Sequence, residues 1–244
     1  MMQIPTGELA VILSDSNAIL AACKQLDPAA ASQSATENEL AQALQQLTDV
    51  MTRIESDMQS GSNSSRADIT EIGEYALQLH EALSAVTNEH SLSEQQPQLA
   101  GLAINMALWI ARHGGQIETL EPVANALALL ANSSRDTAEL GKLCSVIEEI
   151  IAAVSSVISQ DLEKMNPGRP WRVLLINYSI VATRSHDSDL MEAAFAVLSS
   201  KLPEDATRFF NEGMQQMDAL DYPPHVREVM EKYHREWPVK RSLH

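Results

Sequence analysis

Aromatic residues and glycine are scarce in this sequence. Aromatic residues make up 4% of the 244 residues, and there are only nine glycines. The core must therefore be built mainly from alanine, leucine, isoleucine, valine and methionine. Long stretches of alternating apolar and polar residues are also missing, and alanine is abundant, which favours helices over sheets. We expect an all-α fold made of antiparallel helical hairpins.

Cysteine is equally scarce. Cys23 and Cys144 form neither a metal-spaced pair nor a disulfide framework, and both lie in apolar surroundings. The stretch "LAAC" at 20–23 resembles a lipoprotein cleavage box. The residues before it contain no lysine or arginine, and the polar stretch "SDSN" interrupts the apolar run. No run reaches the roughly 18 apolar residues of a membrane span. We therefore expect a cytoplasmic protein.

Positive charge is in short supply. The formal net charge is −16 and the isoelectric point is near 4.7. Such a surface repels phosphate backbones and anionic lipids, so we expect neither nucleic-acid nor membrane binding. The charge is uneven, because residues 1–122 carry 4 basic and 16 acidic side chains while residues 123–244 carry 13 and 17. An anionic partner is therefore expected to meet the C-terminal half.

Motifs of catalysis and nucleotide binding are missing. The sequence contains no G-x-S-x-G, S-x-x-K, G-x-x-x-x-G-K or G-x-G-x-x-G pattern. The stretch "HGG" at 113–115 has no serine partner and is better interpreted as a glycine stop at the end of a helix. We expect a protein that is not an enzyme and that needs no cofactor.

The last helix raises the question of a metal site. His225, Glu228, Glu231 and His234 lie three residues apart, and 231–234 is the Glu-x-x-His element that di-iron bundles use twice. No second copy exists in the chain. The charges on this helix also alternate in sign, as they do on solvated faces. We therefore predict a solvated face, with a buried stripe on the opposite side formed by Val226, Val229, Met230 and Tyr233.

What the sequence does contain is a succession of helical patterns. Apolar residues recur at three- and four-residue steps, separated by polar, glycine- or proline-rich breaks. A soft boundary at the polar stretch "TNEHSLSEQQPQ" suggests an N-terminal helical bundle at 1–92 and a further region at 97–244, or one continuous domain. The predicted helices are 7–26, 37–59, 66–87, 97–112, 117–132, 136–163, 170–184, 188–201, 204–220 and 223–236.

The last four predicted helices form pairs of about 33 to 35 residues, a period typical of stacked helical repeats. In the first pair, Trp171, Leu174 and Tyr178 have the spacing W-x₂-L-x₃-Y, and Leu175 follows the leucine. This segment resembles the first helix of the tetratricopeptide repeat, in which a glycine stands at the position of Leu175.

The resemblance continues into the second helix of that pair. Phe195 and Pro203 are eight residues apart, as in the family, while Met191 stands where alanine is expected. The two halves fit if about four residues are inserted at "SHDS". The next pair, 203–238, lacks the signature tyrosine, alanine and phenylalanine. The resemblance implies a degenerate, α-solenoid-like C-terminal half, with the N-terminal helices as a cap.

In such an array the first helices of each pair line a concave groove, which the resemblance implies is the binding surface. A few cations there could receive the carboxylates of a peptide. The alternative interpretation is that these are ordinary solvated side chains. The aromatic residues of this half are expected to pack between helices rather than form a ligand cage. The candidate partner-binding residues are Arg169, Arg172, Ser179, Thr207, Arg208 and Asn211.

Three functional hypotheses follow from these observations. The first is a non-catalytic helical scaffold that binds a protein or peptide. The second is an oligomeric structural or regulatory bundle that associates through residues 37–87. The third is a metal-dependent enzyme that uses the C-terminal helix.

Overall fold

The computed structural model describes residues 3–26, 34–61 and 65–238. These residues form eleven α-helices and one 3₁₀ turn, and they contain no strand. The all-α prediction is therefore confirmed. The helices are α1 (Leu9–Leu26), α2 (Ser34–Gln59), α3 (Arg66–Glu89), α4 (Gln96–Arg112), α5 (Glu121–Ser133), α6 (Thr137–Ala153), α7 (Ser156–Ser159), α8 (Pro170–Ser185), α9 (Ser188–Lys201), α10 (Pro203–Ala219) and α11 (Pro224–Glu236).

Local signals set the ends of the last four helices, where the predicted boundaries hold to within one residue. Helices α8, α10 and α11 each have a proline in their first turn, where the missing N–H costs no hydrogen bond. Two residues of the "SHDS" break separate α8 from α9. His186 takes a left-handed conformation (φ 60°) after α8, and the Asp187 carboxylate then caps α9.

The predicted helix 136–163 is wrong beyond Ala153. Val154 is extended and forms an isolated parallel bridge with Ile117. The Ile117 N–H donates to the Ala153 carbonyl (2.9 Å), and the Ser155 N–H donates to the Ile117 carbonyl (3.0 Å). The same pairing delays the start of α5 to Glu121. The pairing of two segments that are far apart in sequence thus overrides the local helix propensity of both.

The N-terminal helices differ in how they begin. α2 begins at Ser34, three residues before the predicted start at residue 37. Ser65 and Asp68 form a reciprocal capping box at the start of α3. The predicted break between the first two helices lies largely outside the described residues.

Helix α4 is the centre of the molecule. Residues 102–110 are all buried, and the helix packs against α1, α3, α5 and α6. Its sequence is apolar on every side, which is the pattern of a helix enclosed by others. The 3₁₀ turn Ser93–Gln95 lies in the polar stretch before α4, and a single hydrophobic core extends across it.

The segment before α1 is fixed onto α4. The buried Asn105 side chain accepts hydrogen bonds from the Thr6 and Gly7 N–H groups (2.9 and 2.8 Å). Gly7 has φ 68°, and an added Cβ would lie 2.7 Å from Leu108 Cβ, so both backbone shape and space require glycine.

The C-terminal helices pack in sequence order. α8 lies against α5, α6 and α9, α10 lies against α9 and α11, and α11 also reaches α9. Phe195, Phe209, Phe210 and Tyr233 form an aromatic cluster among α9, α10 and α11, with ring centroids 5.1 to 5.7 Å apart. No helix in the described part of the chain has the length and apolar character needed to cross a membrane.

Candidate partner-binding groove

A groove of about 490 Å³ lies between α8 and α10, with α11 beneath it. We call it the α8–α10 groove. We call its apolar lining side chains the floor and its charged lining side chains the rim. The lining residues are Arg172, Ile176, Ile180, Thr183, Arg184, Asp205, Arg208, Phe209, Glu212, Gly213, Gln216, Met217, Tyr222 and Met230.

Four-residue spacing creates the α8 wall. Arg172, Ile176, Ile180 and Arg184 follow one another at every fourth position, so they lie along one side of the helix. Ile180 is 40% exposed. The opposite side of α8 is buried in the core through Leu174, Leu175 and Tyr178.

The α10 wall has the same spacing. Asp205, Phe209, Gly213 and Met217 are four residues apart, and each lines the groove. Gly213 lets α10 approach α11 closely, because an added Cβ would lie 2.6 Å from the Met230 sulfur. That approach brings Met230 under the groove as part of the floor.

Arginines outnumber carboxylates in this groove by three to two, although the chain as a whole carries −16. Arg172 is paired with Asp205 (Nη2–Oδ1 2.8 Å) at one end. Arg208 pairs with Glu212 (2.7 Å), but its side chain is 74% exposed and open to solvent. The groove lining thus carries one positive charge more than negative charges, in contrast to the chain as a whole.

Arg184 holds the other end of the groove. Its Nη1 and Nη2 donate to the carbonyl oxygens of Ala131 (3.0 Å) and Ser134 (2.6 Å), which fixes the guanidinium against the end of α5. A guanidinium has five N–H donors, so it retains capacity for a further acceptor.

A smaller hollow of about 240 Å³ continues from this end. It shares Arg184 and Tyr222 with the groove and adds Leu140, His186 and the exposed Leu220. The His186 ring lies edge-on to Tyr222, with ring centroids 5.5 Å apart. Burial, and secondarily the nearby His225, lower the pKa of His186, so that ring favours its neutral form.

The structure brings two of the six predicted partner-binding residues into the groove, namely Arg172 and Arg208. Thr207 and Asn211 are half-buried on α10 but do not line it. Ser179 is fully buried, and its hydroxyl donates to the Leu175 carbonyl (3.0 Å) within α8.

Arg169 is buried as well, and it acts on the preceding loop. Its Nη2 donates to Asp161 (2.9 Å), and its Nη1 donates to the carbonyl of Asn166 (3.1 Å). The hydrogen bond with Asp161 is the main reason that the pKa of Arg169 is raised. Arg169 does not line the groove. It fixes residues 161–169, and its Nη2 also lies 3.6 Å from Asp205 Oδ2, a carboxylate of the groove.

Sequence reasoning missed Ile176, Ile180 and Phe209, the apolar part of the site. A usable signal was present, because α8 carries apolar residues on more than one side. A helix with a second apolar stripe, here Ile176 and Ile180, has more than the core to contact. The stripe was hidden among the many apolar residues of that segment.

The charged face of α11 is solvated, and its buried stripe is confirmed: Val226, Val229, Met230 and Tyr233 are all buried. Glu231 pairs with Arg227 (2.9 Å), and His225 Nε2 lies 2.9 Å from the His186 carbonyl. Across the described residues, no three His, Cys, Asp or Glu side chains are grouped so that they could hold a metal ion.

Comparison with known proteins finds no matching family model, no matching curated protein and no matching solved structure. The class of this protein is therefore given by its own features: an all-helical chain with an amphipathic, arginine-rimmed groove.

Proposed function

We propose that this protein is a non-catalytic scaffold that binds a segment of a partner protein in the α8–α10 groove. The observation that carries the proposal is the groove's composition, an open apolar floor with an excess of arginine in a strongly acidic chain. Concave sites that combine an apolar lining with a few charged groups are typical binding sites.

The chemistry of the groove defines the partner segment. Apolar side chains of the partner would cover Ile176, Ile180 and Phe209, and removing apolar area from water contributes roughly 25 cal/mol per Å². Carboxylates of the partner would accept hydrogen bonds from Arg208 and Arg184. Such charge-assisted hydrogen bonds are stronger than those between neutral groups. The expected partner segment therefore combines apolar and acidic residues.

The proposal includes a repeat-like arrangement of the last four helices, with α8–α9 and α10–α11 as two stacked units. Two contacts support it. α8 packs on α9 as α10 packs on α11, and the Arg172–Asp205 pair joins the first turns of α8 and α10. Superposition of 170–201 on 203–236 would test whether the units are equivalent. We also propose a cytoplasmic location, which the two buried thiols suit.

A matched pair of variants tests the function. Ile180→Glu places a charge on the groove floor, and Leu129→Glu makes the same change at a similarly exposed site on α5, since the two side chains are 40% and 45% exposed. We expect a protein that copurifies with the native chain to be lost with Ile180→Glu and retained with Leu129→Glu. Binding would then be measured with that purified protein. Equal retention by both variants would exclude the groove.

A second candidate function is self-association through residues 37–87. Three exposed large apolar side chains favour it: Val50 and Met58 on α2 and Tyr75 on α3. The many carboxylates of the same half oppose it, because two copies would meet with like charges. Light scattering at a protein concentration of about tens of micromolar tests this hypothesis. If the protein is a strict monomer at that concentration, it does not form even a weak dimer, and the hypothesis is wrong.

A further inference from the structure

We infer that the segment bound in the α8–α10 groove is an amphipathic helix of about three turns, running antiparallel to α8 and α10. This inference rests on the proposed function, because it specifies the occupant of the same groove. Three properties of the groove support it: its length, the state of its backbone and the direction of its walls.

The two walls have equal length. The α8 wall runs from Arg172 to Arg184 and the α10 wall from Asp205 to Met217, so each covers twelve residue steps. At 1.5 Å per residue, each wall is about 18 Å long. A helix of roughly twelve residues would match both walls, with apolar side chains at positions i, i+3 or i+4, and i+7 facing the floor.

The backbone of the walls favours a helical occupant. Both walls lie within helices, where most backbone N–H and C=O groups already bond to each other. An extended peptide that binds by strand addition needs a sheet edge, and the described residues provide no strand. A helix satisfies its own backbone and needs only side-chain contacts, which the groove offers.

The direction of the walls selects the orientation. The Arg172–Asp205 pair joins the first turns of α8 and α10, so both helices begin at the same end of the groove. Their dipoles are therefore parallel, and an antiparallel occupant aligns favourably with both. In that orientation the N-terminal turn of the occupant, where acidic residues are preferred, lies beside Arg184.

The experiment uses the full chain and a displayed library of random peptides of roughly fourteen residues, slightly longer than three turns. Binders are kept if Ile180→Glu abolishes binding and Leu129→Glu does not. We expect them to carry apolar residues at helical spacing and acidic residues near the N-terminus. A proline at the centre should weaken binding at least tenfold relative to alanine, since it breaks the helix. Circular dichroism should show helix gained on binding.

Orientation is measured with a spin label at the peptide C-terminus. We expect it to broaden the NMR signals of residues around Arg172 and to leave those around Arg184 sharp. The reverse pattern would overturn the antiparallel orientation.

The outcomes separate the two proposals. Groove-dependent binders that tolerate a central proline and show alternating apolar residues would overturn the helix and leave the groove function standing. If no binder depends on Ile180, both proposals fail. If the native chain self-associates and Ile180→Glu alone abolishes this, the occupant is a second copy and the inferred partner helix is wrong.

Discussion

Single arginines in this protein have different roles according to their burial. Arg208 is exposed and paired only with Glu212 one turn away, so it contributes little to folding. Arg169 is enclosed, with 5% of its side chain exposed and 4% of that of its partner Asp161. The sequence does not show how exposed either arginine is, and only the structure separates a candidate ligand contact from a fold-stabilising one.

Arg208→Glu should weaken binding of an acidic groove peptide without unfolding the protein. The reason is that the variant reverses a charge on the rim and removes no buried contact. We expect a slower association rate and a smaller dependence of that rate on salt, measured by stopped-flow. Arg235→Glu on the exposed side of α11 is the matched control. Equal effects of both variants would mean that only overall charge matters.

Arg169→Ala should destabilise the protein by about 3 kcal/mol, because it leaves Asp161 buried without its ion-pair partner. Urea denaturation followed by circular dichroism measures the change. Arg53→Ala, at an exposed site on α2, should change the free energy of unfolding by less than about 0.5 kcal/mol. A similarly small change for Arg169→Ala would mean that the loop at 161–169 rearranges and releases Asp161 to solvent.

His80 should make stability depend on pH. Its side chain is buried, Nε2 lies 3.0 Å from the Leu99 carbonyl, and burial lowers its pKa from 6.5. As pH falls below 6.5 the unfolded chain takes up a proton before the folded chain does, so stability is lost. His80→Gln should therefore lose less stability than the native protein between neutral pH and mildly acidic pH. Parallel curves from urea denaturation would contradict this.

At the scale of elements, glycines show how packing overrides propensity. Gly73 in α3 faces α4, and an added Cβ would lie 2.3 Å from Ile110 Cγ1. Gly101 in α4 has no atom within 4 Å of its added Cβ. Both are helical positions where alanine gains about 1 kcal/mol in propensity. The space around each glycine therefore decides whether its substitution by alanine raises or lowers the free energy of unfolding.

Gly73→Ala should destabilise the protein by about 1 kcal/mol or more, since overpacking costs about 1–3 kcal/mol and exceeds the propensity gain. Gly101→Ala should stabilise it by up to about 1 kcal/mol. Thermal denaturation of the two variants beside the native chain checks both signs. If both variants are stabilised, α3 and α4 can move apart more easily than the close approach at Gly73 indicates.

Helix boundaries were largely predictable because prolines, left-handed caps and polar breaks act within a few residues. The largest exception has a long-range cause. α6 ends at Ala153 because Val154 pairs with Ile117, a residue 37 positions earlier. Of the candidate site, the sequence pointed to the C-terminal half and to Arg172 and Arg208. It did not separate Ile180 from the buried Val181 beside it.

At the scale of the whole molecule, the groove lies in the half of the chain that carries less net negative charge. The N-terminal half carries most of the net negative charge, and the groove with its excess of arginine lies in the other half. An acidic segment approaching this protein is repelled by one half and tolerated by the other, which orients the encounter before any contact forms.

The sequence by itself determined the helical class, most helix ends and the uneven charge, because these depend on neighbours within a few residues or on composition alone. Only the tertiary structure decided which apolar side chains stay outside the hydrophobic core. Ile176 and Ile180 line a groove because α8 and α10 both pack on α9, and their facing sides stay open above Met230. That outcome depends on how whole helices fit together, and no local pattern contains it.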